Sequence, residues 1–188
     1  MPIITASSWV DIHQPPETVF ALLSDPPRRA RVNPNLEMIR VEVEGGGILR
    51  EGAVVYHRAK KGTRIFEYQM RCLRFEPPRL IETGSLSQPE FGVTMRLEPI
   101  SSGTRLYHEE RMHLPSSHLG DSGADLGIAN EGMIGQIFRA LTFLPPWNLI
   151  RGYWEEKSIR RMKGIMLKEI DNWLLALKKH LEGITPEL

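Results

Sequence analysis

Cysteine is nearly absent from this chain. Cys72 is the only one in 188 residues, so no intrachain disulfide can form and the fold needs no oxidising compartment. A dominant charge of one sign is missing too: 24 Lys+Arg stand against 23 Asp+Glu, a formal net charge of +1. No broad field therefore draws in nucleic acid or an anionic membrane. Long apolar runs are also lacking, since the greasiest stretch, ALTFLPPWNLI at 140–150, is too short to span a bilayer and is cut by two prolines. The opening MPIITASSWVDIHQ has neither the basic n-region nor the apolar h-region of a secretory signal. These absences predict a cytoplasmic protein with no nucleic-acid partner and no stable membrane insertion. Local basic pairs, Arg28-Arg29 and Lys60-Lys61, read as solvated surface.

Reactive motifs are equally scarce. HEERMH at 108–113 puts three residues between Glu109 and His113 where the zincin helix has two, and it lies on a strand, where His108 and His113 point to opposite faces. No metal is expected. Gly45-Gly46-Gly47 has no following Lys-Ser/Thr and reads as a hairpin turn rather than a phosphate cradle. Cys72 carries no signature of an activated thiol. No cofactor is expected either.

What the chain does have is a core and a period. At 41% hydrophobic and 25% charged, it fits one globular domain over residues 1–188. Residues 3–13 alternate as a strand, with Ala6, Ser8, Val10 and Ile12 on one side. Pro15 and Pro16 end it and open a short helix over 16–24, which Asp25-Pro26 stops. From 36 to 114 six period-two segments follow one another across short turns, so the sheet is an antiparallel meander. A Gly- and Ser-rich stretch then leads into a short helix, MIGQIFRALTFL, closed by Pro145-Pro146. From about 152 to 182, Ile159, Met162, Met166, Ile170, Trp173, Leu177 and Leu181 recur at steps of three and four, the stripe of a long amphipathic helix.

The helix after PPE-x-VF at 15–20, the FEPPR turn at 75–79, the GTRL turn at 103–106 and the long last helix together resemble the helix-grip superfamily. That group includes START lipid-transfer domains, plant pathogenesis-related ligand carriers and, in motif style most like this chain, the polyketide cyclase/dehydrase family. The resemblance covers residues 3–114 and the final helix; residues 115–150 form an insertion into the compact pattern. It implies an α+β fold: a seven-stranded curved antiparallel sheet wrapped around the C-terminal helix, a helical insertion before that helix, and a cavity between sheet and helix. The helix at 16–24 would plug one end. It also implies a hydrophobic or amphipathic small-molecule ligand such as a lipid, quinone, aromatic or polyketide-like compound.

Parity then nominates the cavity lining. Phe66, Tyr68, Met70 and Cys72 share one face of their strand, and Phe91, Val93, Met95 and Leu97 share one face of theirs. Either row serves equally as plain core. On the last strand, Leu106 and Met112 bring His108 and Glu110 to the same side; an unpaired polar group in a dry core costs about 1–3 kcal/mol, so the two pair with each other or with water. They are the acid/base candidates and belong to the ligand-binding set as well. Alternation does not decide whether Tyr56 or His57 faces inward, and Tyr56 is carried as a ligand contact. Trp154, Met162 and Met166 complete the set from the helix side. The greasy insertion 115–150 reads as a lid, a homodimer arm, local core cover or a membrane-docking segment. Three functions follow in order: a ligand carrier, a cyclase/dehydratase-like enzyme, and an interaction module using the insertion.

Overall fold

A computed structural model describes residues 3–87, 90–113 and 151–183, with backbone alone for Arg64 and residues 151–158. The insertion at 115–150, with its expected helix, and the side chain of Trp154 lie outside the described residues.

β1 (Ile3–Ile12) leads into α1 (Pro16–Leu23), whose start is set by prolines at the cap and first helical position and by Glu17 in the first turn. Asp25-Pro26 ends α1, as expected, and also begins a further helix, α2 (Pro26–Arg31): Asp25 Oδ1 accepts from the Arg28 amide at 3.1 Å while Pro26 presets the first helical φ. The same two residues are thus both a stop and a start, and the expectation of a stop alone is corrected. β2 (Glu37–Val43), β3 (Val54–Lys61), β4 (Arg64–Glu76), β5 (Leu80–Ser85), β6 (Phe91–Ile100) and β7 (Gly103–His113) follow, then α3 (Arg151–Leu181).

All seven strands join one antiparallel sheet in the order β1-β7-β6-β5-β4-β3-β2. β1 and β2 are therefore opposite edges, yet α3 is tied near both. At the β1 edge, Ser8 Oγ donates to Asp171 Oδ1 at 2.5 Å and Lys178 Nζ donates to the Asp11 carbonyl at 2.6 Å. At the other edge, Asn35 Nδ2 donates to the Glu169 carbonyl at 2.8 Å and Lys61 pairs with the Glu169 carboxylate. One helix can reach both edges only if the sheet curls around it, which is the expected grip. The buried stripe of α3 is Met162, Met166, Ile170, Trp173, Leu174 and Leu177. At 1.5 Å per residue α3 is about 45 Å long.

A bulge between Cys72 and Arg74 shifts the β4–β5 register, so the inner row continues from Cys72 to Phe75 while Leu73 faces out at 49% exposure. Phe75 meets Phe20 of α1 with ring centroids 5.2 Å apart. With Val19, Leu22 and Leu23 also buried, α1 closes one end of the concave face.

Candidate functional site: a polar cluster on the concave face

Both predicted rows are on the inner face. Phe66, Met70, Cys72, Met95 and Leu97 are buried, and Phe91 and Val93 are half-buried against the core. Met162 and Met166 face them from α3. The β6–β7 register sets Met95 opposite His108 and Val93 opposite Glu110. On the other side of β7, Ser8 stands opposite His108 and Ala6 opposite Glu110. His108 and Glu110 thus lie among inward-facing side chains of three strands.

They bond to each other, as expected: His108 Nε2 and Glu110 Oε1 are 3.1 Å apart. The imidazole is 6% exposed and leans on Trp173 of α3, centroids 4.6 Å apart. Its second nitrogen, Nδ1, is buried without a hydrogen-bond partner among the described residues. A buried ring nitrogen left unpaired costs about 1–3 kcal/mol, so this position is held at some cost to stability.

Register also answers the parity question on β3. His57 is paired with Tyr68 and Tyr56 with Gln69, and directly opposed residues share a face. His57 is therefore the inward residue. Tyr56, carried as a ligand contact, belongs on the outer surface, where Arg40 lies 5.7 Å from its ring centroid. The His57 ring stacks on Tyr68. Its Nδ1 makes no hydrogen bond of acceptable geometry among the described residues, although the Val55 backbone favours the protonated ring. Burial, assisted by the positive charge of Arg29, pushes the His57 pKa down to about 3. Burial likewise pushes the Tyr68 phenol up to about 12, with Glu110 adding to the rise and Arg29 opposing it. At neutral pH both rings are uncharged.

Arg29 departs from its expected place on the solvated surface. It sits in α2, half-buried, with its guanidinium turned inward, where Nη1 donates to the Leu23 carbonyl at 3.0 Å and approaches Met95 Sδ at 3.8 Å. Burial lowers its pKa, with Tyr68, Cys72 and the Asp25 carboxylate acting in the opposite sense. A signal exists in the sequence, because positions 26 and 29 share a helix face and Pro26 is buried, but it is readable only once α2 is recognised. Arg28 and Arg31 do stay outside. They border a groove of about 820 Å³ between α2 and the outer side of α3, shared with Leu175, Lys179 and His180. A smaller pocket of about 270 Å³ lies by Tyr56, Tyr68 and Leu86. Neither is enclosed between the sheet and α3.

The concave face therefore combines an apolar lining with a guanidinium, two imidazoles, a phenol and a carboxylate, contributed by α2, β3, β4 and β7. Such a surface can bury an apolar body and hydrogen-bond a polar head. Among the described residues no helix is long and apolar enough to cross a membrane.

Comparison with known proteins agrees with this architecture. The chain is similar over 97% of its length to 94% of a polyketide-cyclase-like protein of Corynebacterium glutamicum, at 20% identity and a TM-score of 0.59. It is also similar to a Staphylococcus aureus protein of unknown function (8% identity, 99% of this chain and 98% of that one, TM-score 0.66) and to a Thermus thermophilus protein (15% identity, 98% and 99%, TM-score 0.57). At these identities the likeness is one of fold. No curated protein matches the sequence. The family model described as polyketide cyclase / dehydrase and lipid transport matches residues 1–141, and the chain belongs to that family.

Proposed function

We propose that the protein holds a hydrophobic or amphipathic small molecule between the concave face of the sheet and α3. The observation that carries this reading is the pair of buried ring nitrogens, Nδ1 of His57 and of His108, that find no partner among the described residues, on a face shared with Phe66, Met70, Met95 and Met166. In a core selected only for packing, replacing such groups by apolar ones would be neutral or favourable. A ligand that supplies the missing partners gives them a reason to be there. Burying about 300 Å² of apolar ligand surface would contribute about 7 kcal/mol before the ordering costs of association. Native mass spectrometry of freshly purified protein, followed by solvent extraction, should release a lipid-like or aromatic compound. Protein that carries nothing and binds no apolar probe would overturn the reading.

A second reading rests on the 3.1 Å contact between His108 and Glu110. Such a pair can move a proton to or from a bound carbonyl compound, with the Tyr68 phenol orienting the carbonyl, as a cyclase or dehydratase requires. If His108→Ala and Glu110→Gln both leave the turnover of a substrate unchanged, these residues are not the acid/base pair.

A further inference from the structure

The half-buried guanidinium of Arg29 makes no ion pair among the described residues, although the Asp25 carboxylate acts on it electrostatically. Its two hydrogen bonds both leave Nη1, one to a carbonyl and one to a thioether sulfur, a weak acceptor. Among the described residues no acceptor meets the three N–H groups on Nε and Nη2, and no carboxylate pairs with the side chain. A partly desolvated charge with free N–H groups gains most when an anion is supplied with matching hydrogen-bond geometry.

The surroundings suit an oxyanion. Arg29 reaches Met95 on the inner row of β6 and acts electrostatically on His57, Tyr68 and Cys72 from β3 and β4. The Tyr68 hydroxyl makes no hydrogen bond among the described residues and is available as a donor within electrostatic reach of the guanidinium. Glu110, the one carboxylate on this face that acts on Tyr68, is already engaged by His108 Nε2. An anionic group would therefore be drawn toward Arg29 and turned away from Glu110, which orients a bound ligand.

Resting on the ligand-binding reading above, we infer that the ligand is an organic acid: an apolar body ending in an anionic oxygen group, such as a carboxylate, that pairs with Arg29 and accepts from Tyr68.

Two fluorescent probes with the same aromatic skeleton separate this inference from the reading beneath it. 1-Anilinonaphthalene-8-sulfonate carries an anionic oxygen group, and N-phenyl-1-naphthylamine carries none. The wild-type protein should bind the sulfonate more tightly than the neutral amine by about tenfold or more, the worth of a charge-assisted contact. Arg29→Met should remove that preference and leave the neutral probe's affinity within about twofold, whereas Arg31→Gln and Lys179→Gln, in the outer groove, should leave the preference intact. Should Arg29→Met fail to fold, Arg29→Lys keeps the charge and should keep a preference for the sulfonate. Equal affinity of the wild type for both probes overturns the organic-acid inference alone. So does a preference that survives Arg29→Met, is lost in folded Arg29→Lys, or disappears with the groove variants. Failure of both probes to bind overturns the ligand reading and this inference together.

Discussion

The imidazole of His57 lies flat against the phenol of Tyr68, centroids 4.5 Å apart and planes 2° from parallel, across a directly opposed pair of β3 and β4. The stack is buried, and the folded protein keeps His57 neutral down to about pH 3. In the unfolded chain the same ring protonates near its ordinary 6.5. Between those two values the unfolded state binds more protons, so stability falls as the pH drops below 6.5. Above 6.5 the ring contributes no slope. The loss should reach roughly 3 kcal/mol by pH 4. Urea unfolding of wild type and His57→Phe at pH 7 and pH 4 tests this: the variant should lose markedly less stability between the two. Equal losses would show that His57 is not held neutral.

His108 makes a different prediction because only one of its nitrogens is bonded. Leucine has similar bulk and no ring nitrogen to bury unpaired, so His108→Leu should unfold within about 1 kcal/mol of wild type, or later. Glu110 then loses its partner, but its side chain is 23% exposed and can hydrate. Ligand retention in native mass spectrometry should nonetheless drop. A variant that loses more than about 2 kcal/mol while retaining ligand normally would make His108 a structural residue.

Cys72 is 1% exposed, and burial pushes its thiol up to about 11. Since the thiolate is the reactive form, an aromatic disulfide reagent at pH 8 should label the folded chain only at the rate of unfolding. Labelling should become fast in about 6 M guanidinium chloride, a concentration beyond the midpoint of nearly all domains. Rapid labelling of the native protein would mean that β4 opens locally.

How far the sequence speaks for the structure varies with how far each signal reaches. Strand alternation is local, and it places Phe66, Tyr68, Met70, Phe91, Val93, Met95, His108 and Glu110 on the inner face. The period of α3 likewise yields Met162, Met166, Ile170, Trp173 and Leu177, and Leu174, four residues after Ile170 and three before Leu177, is buried in the same stripe. Tyr56 and His57 need the partner strand: with Gly62 at the hairpin turn, Lys61 pairs with Arg64 and counting outward brings His57 to Tyr68. Alternation within one strand does not contain that step. The bulge at Leu73 inverts the parity of Phe75 for the same reason, being a property of the β4–β5 pair. Arg29 escapes because a proline after an aspartate reads as a stop, and an arginine pair reads as surface. A charge goes inside when tertiary packing sends it there, and no periodic pattern announces it.

The seating of the end of β1 against the sheet rests on Gly103, where β6 turns into β7. Its φ is +141°, and a Cβ there would stand 2.2 Å from the Ile12 carbonyl oxygen, 2.9 Å from the Gln14 amide and 3.0 Å from His13 Cα. All three are backbone atoms at the end of β1, so no side chain can swing aside to make room. The turn packs this closely because Thr104 Oγ1 also donates to the Gln14 carbonyl at 2.7 Å, and Ile12 is paired with Thr104. Gly103→Ala therefore carries both the backbone strain of that φ and a clash with β1, and should cost at least about 2–4 kcal/mol. Gly46 provides the contrast: its φ is +77°, and a Cβ added there would meet nothing within 4 Å, so Gly46→Ala meets the strain alone and should cost about 1 kcal/mol. Denaturant midpoints of the two variants decide it. If Gly103→Ala proves no worse than Gly46→Ala, the end of β1 is not pinned against this turn, and the edge to which α3 is tied is looser than the hydrogen bonds require.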